Sequence, residues 1–415
     1  MTVNEIIAMV LTITAGASYI NYRFLRLPQP IGVTLLTIVL ALSVMILGSF
    51  GVGVGEWARY MLGQINLSEA LLNGMLSFLL FAGALHINVI ELAKFRWIVG
   101  SLATISVILS TLFVGFLTYY TAKWLGIDIP LIFALIFGAL ISPTDPIATL
   151  AILKIINAPK TIEMKIAGES LFNDGIAIVL FLVLVQIALG QETELKPGQI
   201  MLDFAREAGG GILLGIVLGW IVAKLMRDVA KFEVACLLTL ALVTGGFVFA
   251  DTIIDVSGPI SMVVAGLIIG NLLRSGHMPE TSIYRLDEFW ELVDEVLNTV
   301  LFVLIGLEII HLIFSLDSME LALLAIPISL IARYISVAIP VTFINNFKSF
   351  NPKTIAIMTW GGLRGGVSIA LALQLPPSPQ RDMIIWLTYG VVIFSIVVQG
   401  LTFKPLLQRW IKHAE

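Results

Sequence analysis

The sequence predicts an all-α, polytopic membrane protein with about thirteen transmembrane helices. The 415 residues are 58% hydrophobic and only 13% charged, with a mean hydropathy of +1.00, whereas soluble domains carry roughly 25% charged residues. Apolar runs of about 20 residues, the length that a helix needs to cross a bilayer, recur along the whole chain. An outer-membrane β-barrel would instead show short segments in which apolar and polar residues alternate.

The apolar runs define the elements in order. No soluble domain and no low-complexity segment interrupts them, so residues 1–415 are expected to form a single transmembrane domain. The predicted spans are about 4–22, 29–48, 67–88, 97–122, 129–153, 166–190, 207–223, 233–251, 257–273, 292–313, 319–346, 354–374 and 383–403.

Loop charges predict the orientation, because Lys and Arg concentrate on the cytoplasmic side of membrane proteins. Seventeen of the 24 basic residues fall in loops on one side and five on the other, while Arg333 and Arg364 lie inside spans. The N-terminus is therefore expected outside and the C-terminus in the cytoplasm, which requires an odd number of spans. The first apolar run precedes the first basic residue and is expected to stay as a span of the cell (inner or plasma) membrane.

Two spans have weak helical interiors, and they lie seven spans apart. Pro143 and Pro146 interrupt span five, and Gly361-Gly362-Leu363-Arg364-Gly365-Gly366 interrupts span twelve. With span seven, at about 207–223, as a linker, two six-span repeats of inverted topology result, at about 1–190 and 233–403. Paired interrupted helices at corresponding positions indicate the binding site of a transporter.

Span five carries Ser142-Pro143-Thr144-Asp145-Pro146. Each proline removes a backbone donor, so the carbonyls of Ala139 and Ser142 are expected to lose their helical partners. Unwound backbone at membrane depth is tolerated where it lines a cavity or is buried in protein. The free carbonyls, the Thr144 hydroxyl and the Asp145 carboxylate are hard oxygen ligands that suit a small cation. The alternative is a proline kink with an ordinary polar cap.

Span six carries a second polar cluster, Gly168-Glu169-Ser170-Leu171-Phe172-Asn173-Asp174. A charge at the bilayer centre costs about 2.5–3.5 kcal/mol on insertion scales, so a carboxylate there indicates function. Ser170 and Asp174 are four residues apart and can face a cation together, while Glu169 and Asn173 form the adjacent stripe. The alternative is a helix start at the headgroups, which fits Glu169 better than Asp174.

Two arginines lie inside predicted spans and need partners. An unpaired buried Arg333 would be severely destabilising, and Glu169 is its best candidate partner. Arg364 is expected either to take a direct part at the ion site or to act as a counter-charge to helix-end dipoles.

Other features are less specific. The stripe Gly211, Gly215 and Gly219 favours close helix packing, within one chain or between two. The acidic residues that flank span ten on its inner side predict a solvated helix start or an acidic funnel that gathers cations; they are Asp287, Glu288, Glu291, Asp294 and Glu295. No run of basic residues suggests nucleic acid, and the single cysteine cannot form an internal disulfide.

Four segments, SPTDPIA, GESLFNDG, FVLIGLE and GGLRGGVSIALAL, occur in order across the chain. They resemble the cation:proton antiporter-1 family, the NhaP and NHE sodium/proton exchangers, in its prokaryotic type without a regulatory tail. The resemblance implies the NhaA-like antiporter fold, with inverted repeats, crossing discontinuous helices and a homodimer. It also implies a mobile core bundle that includes about 129–190 and 319–403.

The resemblance implies that Asp174 binds Na⁺ (or Li⁺) and H⁺ in turn, with Thr144, Asp145 and Ser170 completing the ion site. It implies that Asn173 holds the crossing loops together. An Asn before the ion-binding Asp resembles the electroneutral branch, which exchanges one ion for one proton. Many relatives carry a Glu in an LLFE-like stretch of span three, but this sequence has Ala82 there, so ion coordination by that Glu is not expected.

The expected function is secondary Na⁺/H⁺ antiport, with Na⁺ and H⁺ as substrates, lipid as surroundings and no cofactor. A K⁺/H⁺ antiporter or a cation channel built on the same residues is the alternative, although channel filters are usually symmetric rings around a pore. An intramembrane aspartyl protease would need two aspartates sharing a proton on facing helices. Asp145 is held between prolines, so an enzyme is not expected.

Overall fold

The computed structural model describes residues 3–50, 74–156, 160–190, 197–227, 231–274, 280–311, 316–345 and 352–412, and isolated positions between 51 and 73. Within them the fold is helical, and the one β-bridge is isolated. The helices are α1 Val3–Ile20, α2 Gln29–Ser49, α3 Leu76–Leu85, α4 Val89–Ala93, α5 Arg96–Ala103, α6 Ile105–Leu125, α7 Leu131–Ile141, α8 Ile147–Ile155, α9 Lys160–Ala188, α10 Pro197–Arg227, α11 Phe232–Ala241, α12 Gly258–Arg274, α13 Glu280–Glu308, α14 Leu316–Asn345, α15 Pro352–Trp360, α16 Gly366–Gln374, α17 Pro379–Phe394 and α18 Gly400–Lys412. The predicted all-α class is confirmed.

Each predicted span overlaps one helix or a consecutive pair. Most of the predicted start of span three lies outside the described residues. By length and composition alone, seven described helical stretches can cross a bilayer: Gln29–Gly48, Arg96–Leu125, Lys160–Ala188, Ala205–Arg227, Phe232–Ile254, Ser318–Phe343 and Pro379–Trp410. Shorter apolar helices occur at Leu76–Leu85, Leu131–Ile141 and Gly258–Arg274. The count of thirteen and the inverted repeats stay predictions.

The most extensive helix contacts fall into two groups. In the first group, α6 packs against α7 and α14, α14 packs against α17, and α9 packs against α7. In the second group, α10 packs against α12, α12 packs against α3, and α13 packs against α2 and α3. The division into a core bundle, a linker and two repeats stays a prediction.

The glycine stripe of α10 makes a contact within the chain. A Cβ on Gly211 would lie 2.7 Å from the Ser257 carbonyl oxygen, and a Cβ on Gly215 would lie 2.5 Å from the Ser261 carbonyl oxygen. These small residues therefore let the backbones of α10 and α12 approach closely.

A fully buried tryptophan fixes the position of α13. The Trp290 ring centroid lies 4.7 Å from that of Phe81 on α3. Its indole N–H donates to the Thr239 hydroxyl of α11 at 3.1 Å. Helix α13 is therefore held against two neighbours one turn before Asp294, a residue that faces the candidate site.

Candidate functional site

The two interrupted spans cross at their breaks. Helix α7 ends at Ile141 and α8 begins at Ile147, while α15 ends at Trp360 and α16 begins at Gly366. The Asp145 N–H donates to the Leu363 carbonyl at 2.7 Å, which makes an isolated antiparallel bridge between the breaks. A side chain on Gly365 would meet Asp145, since a Cβ there would lie 2.5 Å from Oδ2. The break in span twelve thus needs glycine because another backbone passes next to it.

Side chains bind the carbonyls that the breaks release. The Arg364 guanidinium donates to the carbonyl of Ser142 and, at 2.9 Å, to that of Pro143. At the other break, the Thr149 hydroxyl donates to the Gly361 carbonyl at 2.6 Å. Gln399 donates to the carbonyl of Trp360 at 3.2 Å. These donors replace the helical partners that unwinding removed, which satisfies backbone acceptors far from water.

The sequence-based expectation of free carbonyl ligands is therefore wrong for the two carbonyls it named. The Ala139 carbonyl accepts from the Ser142 N–H at 3.3 Å, and the Ser142 carbonyl accepts from Arg364. Arg364 is 3% exposed and its backbone N–H donates to the Ser395 hydroxyl at 2.9 Å. Its contacts match the reading of Arg364 as a counter-charge to helix-end dipoles.

Replacing Arg364 by Met is expected to lower stability, because the carbonyls of Ser142 and Pro143 would lose their charged donor. Hydrogen bonds to charged groups contribute about 1.5–3 kcal/mol each. The measurement is the melting temperature in detergent, with Arg409→Met, an exposed residue of α18, as the control. Equal melting temperatures for the two variants would contradict this role.

The two stripes of α9 face different neighbours. Ser170 and Asp174 line a cavity, whereas Asn173 and Glu169 are turned into the protein. The Asn173 amide donates to the Thr144 hydroxyl at 2.8 Å, and that hydroxyl lies 3.0 Å from the Ser170 hydroxyl. A chain of hydrogen-bonded polar side chains thus joins α9 to the break of span five. Thr144 contacts Ser170, and Ser170 in turn lines the cavity.

Glu169 and Arg333 form a buried ion pair. An Arg333 guanidinium nitrogen lies 2.6 Å from the Glu169 carboxylate, and both side chains are at most 3% exposed. Arg333 also donates to the Met358 carbonyl at 3.4 Å. A Cβ on Gly362 would lie 2.9 Å from the Arg333 Nε. The pair therefore ties α9 to α14 beside the second break, away from the cavity.

The cavity has a volume of about 140 Å³, enough for several water molecules. Its polar lining includes the carboxylates of Asp145, Asp174 and Asp294, and no lining residue that the structure describes carries a basic side chain. The Asp145 Oδ1 accepts the Ile147 N–H at 2.9 Å, so this carboxylate also caps the start of α8. Carboxylate and hydroxyl oxygens suit a hard monovalent cation.

Sequence reasoning did not assign Ser368 of α16 to the site, and it missed the pair Asp294 and Asn298 of α13 as lining residues. Asp294 was grouped with its acidic neighbours as part of a solvated helix start or an acidic funnel, but Glu291 and Glu295 are exposed, whereas Asp294 is partly buried. The signal that could have found the pair is its spacing, since residues four apart in a helix share a face. In α3, Leu79, Leu80 and Gly83 line the cavity.

Comparisons with known proteins match almost the whole chain. The family model described as "Sodium/hydrogen exchanger, transmembrane" matches residues 8–409. The Na(+)/H(+) antiporter NhaP of Pseudomonas aeruginosa is 44% identical over 411 residues, which cover 98% of this chain and 96% of that protein. The Na(+)/H(+) antiporter NhaH of Halobacillus dabanensis is 31% identical over 391 residues, 93% of each chain.

A solved structure shows the same fold. The sodium proton antiporter MjNhaP1 from Methanocaldococcus jannaschii, at pH 8, superposes with a TM-score of 0.79 at 19% identity. The match covers 99% of this chain and 100% of that one. The antiporter fold expected from the sequence motifs is therefore confirmed.

Proposed function

The chain belongs to the sodium/hydrogen exchanger family, and from this membership we infer that it is a multi-pass membrane protein that exchanges Na⁺ for H⁺. The observation that carries the proposal is the cavity beside the crossing breaks. It is lined by Asp174, Asp145 and the Ser170 hydroxyl, with no basic side chain among its described lining residues. Such a site attracts a cation, which favours antiport over the enzyme alternative.

Asp174 is the proposed residue for which H⁺ and the cation compete. An empty carboxylate is expensive at membrane depth, so the mobile part of the protein crosses only with Asp174 protonated or with a cation bound. Ser170 supplies a neutral oxygen one turn away, and Asp145 a second carboxylate. Li⁺ suits the same oxygen donors as Na⁺. The distances between the ligand atoms decide whether K⁺ is also transported.

An elevator-like movement is the proposed form of alternating access. The cavity is lined on one side by α8, α9 and α16, and on the other side by α3 and α13. Helix α9 belongs to the first packing group and α16 packs against α7 and α17 of that group, while α3 and α13 belong to the second group. Sliding one group against the other would therefore expose the site to either face. The contacts that tie α9 to α14, and α8 to the second break, favour rigid-body motion of these elements together with the first group.

Electroneutral exchange, one cation for one proton, is proposed from Asn173. Its side chain is uncharged and is bound to Thr144, so Asp174 is the carboxylate of this motif that can carry a proton. A homodimer in the inner or plasma membrane, with the N-terminus outside and the C-terminus in the cytoplasm, completes the proposal. The family resemblance and the loop charges support these last assignments.

The test is ion-driven proton movement in proteoliposomes, with imposed Na⁺, Li⁺ or K⁺ gradients and with or without a clamped membrane potential. Flux that is driven by Na⁺ and is indifferent to voltage is the expected result. Proton flux driven by K⁺ and not by Na⁺ would show that K⁺ is the transported cation. Voltage-dependent flux would contradict the electroneutral exchange inferred from Asn173. Currents far above transporter turnover would favour a channel.

Competition at one carboxylate predicts a pH dependence. On the acid side, where H⁺ occupies Asp174, the half-saturating Na⁺ concentration is expected to rise about tenfold for each unit fall in pH, since a pH unit is tenfold in proton concentration. The maximum rate at saturating Na⁺ should change less. A half-saturating concentration that stays constant across pH would argue that Na⁺ and H⁺ bind at separate groups.

A further inference from the structure

Helix α13 contributes a polar pair to the lining of the cavity that Asp174 also lines. Asp294 and Asn298 are one turn apart, and both line the cavity together with Leu301. Asp174 and Ser170 line the same cavity from α9. Polar side chains of two different helices therefore line one cavity of about 140 Å³.

Asn298 has one oxygen that the described protein does not satisfy. The residue is 2% exposed, and its amide nitrogen donates to the Asp294 backbone carbonyl at 2.9 Å and to the Asp294 Oδ1 at 3.0 Å. These two acceptors determine the orientation of the amide, because the reverse orientation would set oxygen against oxygen. The Asn298 Oδ1 has no hydrogen-bond partner among the described residues, and a buried acceptor in this state calls for a ligand.

Asp294 differs in its charge environment from two acidic residues that precede it on α13. Asp287 pairs with Arg274 at 3.2 Å, and Glu291 lies 3.8 Å from Lys154. Asp294 forms no ion pair within the described part of the chain. Its carboxylate is thus oriented by Asn298, and Lys154, the basic side chain that acts on it through space, forms its ion pair with Glu291 instead.

We propose that the Asp294 carboxylate and the Asn298 Oδ1 form a second position for the transported monovalent cation, in the cavity that Asp174 also lines. Both groups are hard oxygen donors, the class that binds Na⁺ and Li⁺. Among the described residues, no three acidic or metal-binding side chains are close enough to hold one ion together. Asp145, Asp174 and Asp294 therefore do not form one three-carboxylate site, and in this proposal a cation occupies the α13 position and the Asp174 position in turn. This inference rests on the proposed function.

Binding at the second position is tested apart from transport, in the Asp174→Asn background. The readout is the rise in melting temperature in detergent when Na⁺ or Li⁺ replaces N-methyl-D-glucamine at constant ionic strength. We expect Asp174→Asn to retain a cation-dependent rise. Adding Asp294→Asn or Asn298→Ala should remove it, and adding Glu295→Gln, an exposed carboxylate on the same helix, should not. The proposal is overturned if the melting temperature of Asp174→Asn does not rise with Na⁺ or Li⁺. It is also overturned if the rise persists both when Asp294→Asn is added and when Asn298→Ala is added.

The second experiment measures transport by single variants that retain Asp174. Asp294→Asn should raise the half-saturating Na⁺ concentration about tenfold, because the cation loses a charged oxygen ligand at the second position, and Glu295→Gln should leave it unchanged. An increase that disappears at high ionic strength would show surface attraction only and would overturn the proposal. Absence of exchange in the wild type would instead refute the proposed function, while the melting experiment would still decide whether the second position exists.

Discussion

Replacing Asp174 by Asn is expected to reduce Na⁺-driven proton flux to the level of protein-free liposomes. The substitution preserves the size of the side chain but removes the only state change that the proposed mechanism uses, the alternation of a carboxylate between proton and cation. A neutral amide cannot release a proton to one side or hold a cation by charge. Because burying an amide costs less than burying a charge, folding should be preserved. The measurement is internal pH after an imposed Na⁺ gradient.

The control for this experiment is Asp128→Asn, which removes a carboxylate from an exposed position between α6 and α7. It should exchange at the wild-type rate. Comparable melting temperatures of the two variants would show that loss of flux reflects chemistry and not unfolding. Wild-type-like Na⁺-dependent proton flux in Asp174→Asn would rule out Asp174 as the shared binding group.

Replacing Glu169 by Ala is expected to be strongly destabilising. The Arg333 guanidinium lies 2.6 Å from the Glu169 carboxylate and is 3% exposed, so removal of the carboxylate leaves a buried cation whose remaining contact is the Met358 carbonyl at 3.4 Å. Removing one partner of a buried pair costs about 3–5 kcal/mol. The measurement is the melting temperature of purified protein in detergent, compared with Glu295→Ala on the exposed face of α13.

A double-mutant cycle separates the pair from the surrounding packing. Arg333→Met replaces the cation by an apolar chain of similar length, and the double variant Glu169→Ala, Arg333→Met leaves neither charge buried alone. The double variant should be more stable than Glu169→Ala, because replacing both partners of a buried pair is far cheaper than removing one. If the two losses of stability simply add, the ion pair does not account for the effect of Glu169→Ala.

Much of the fold and part of the site could be predicted because they depend on local information. A helix that crosses a membrane satisfies its own backbone hydrogen bonds and exposes apolar side chains to lipid, so hydropathy locates it without knowledge of its neighbours. Pro143 and Pro146 interrupt a helix wherever it packs. The separation of Ser170 and Asp174 from Glu169 and Asn173 follows from helical periodicity alone.

The remaining contacts join residues far apart in the chain, which periodicity does not connect. Arg364 lies more than 200 positions after the Ser142 and Pro143 carbonyls that it binds, and sequence reasoning therefore left those carbonyls free for an ion. Gly365 is required because Asp145 passes next to it, a cause that exists only once the two breaks cross.

By itself, then, the sequence determined the helical membrane class, the two breaks, the family and the carboxylate at the centre of the proposed exchange. These properties follow from residue type and short-range spacing. The tertiary structure alone decided which donors bind the released carbonyls, and it brought Asp294 and Asn298 to the cavity that Asp174 lines. The physical reason is that a side chain's role in an apolar interior is set by the partner it meets, and that partner is chosen by packing between helices.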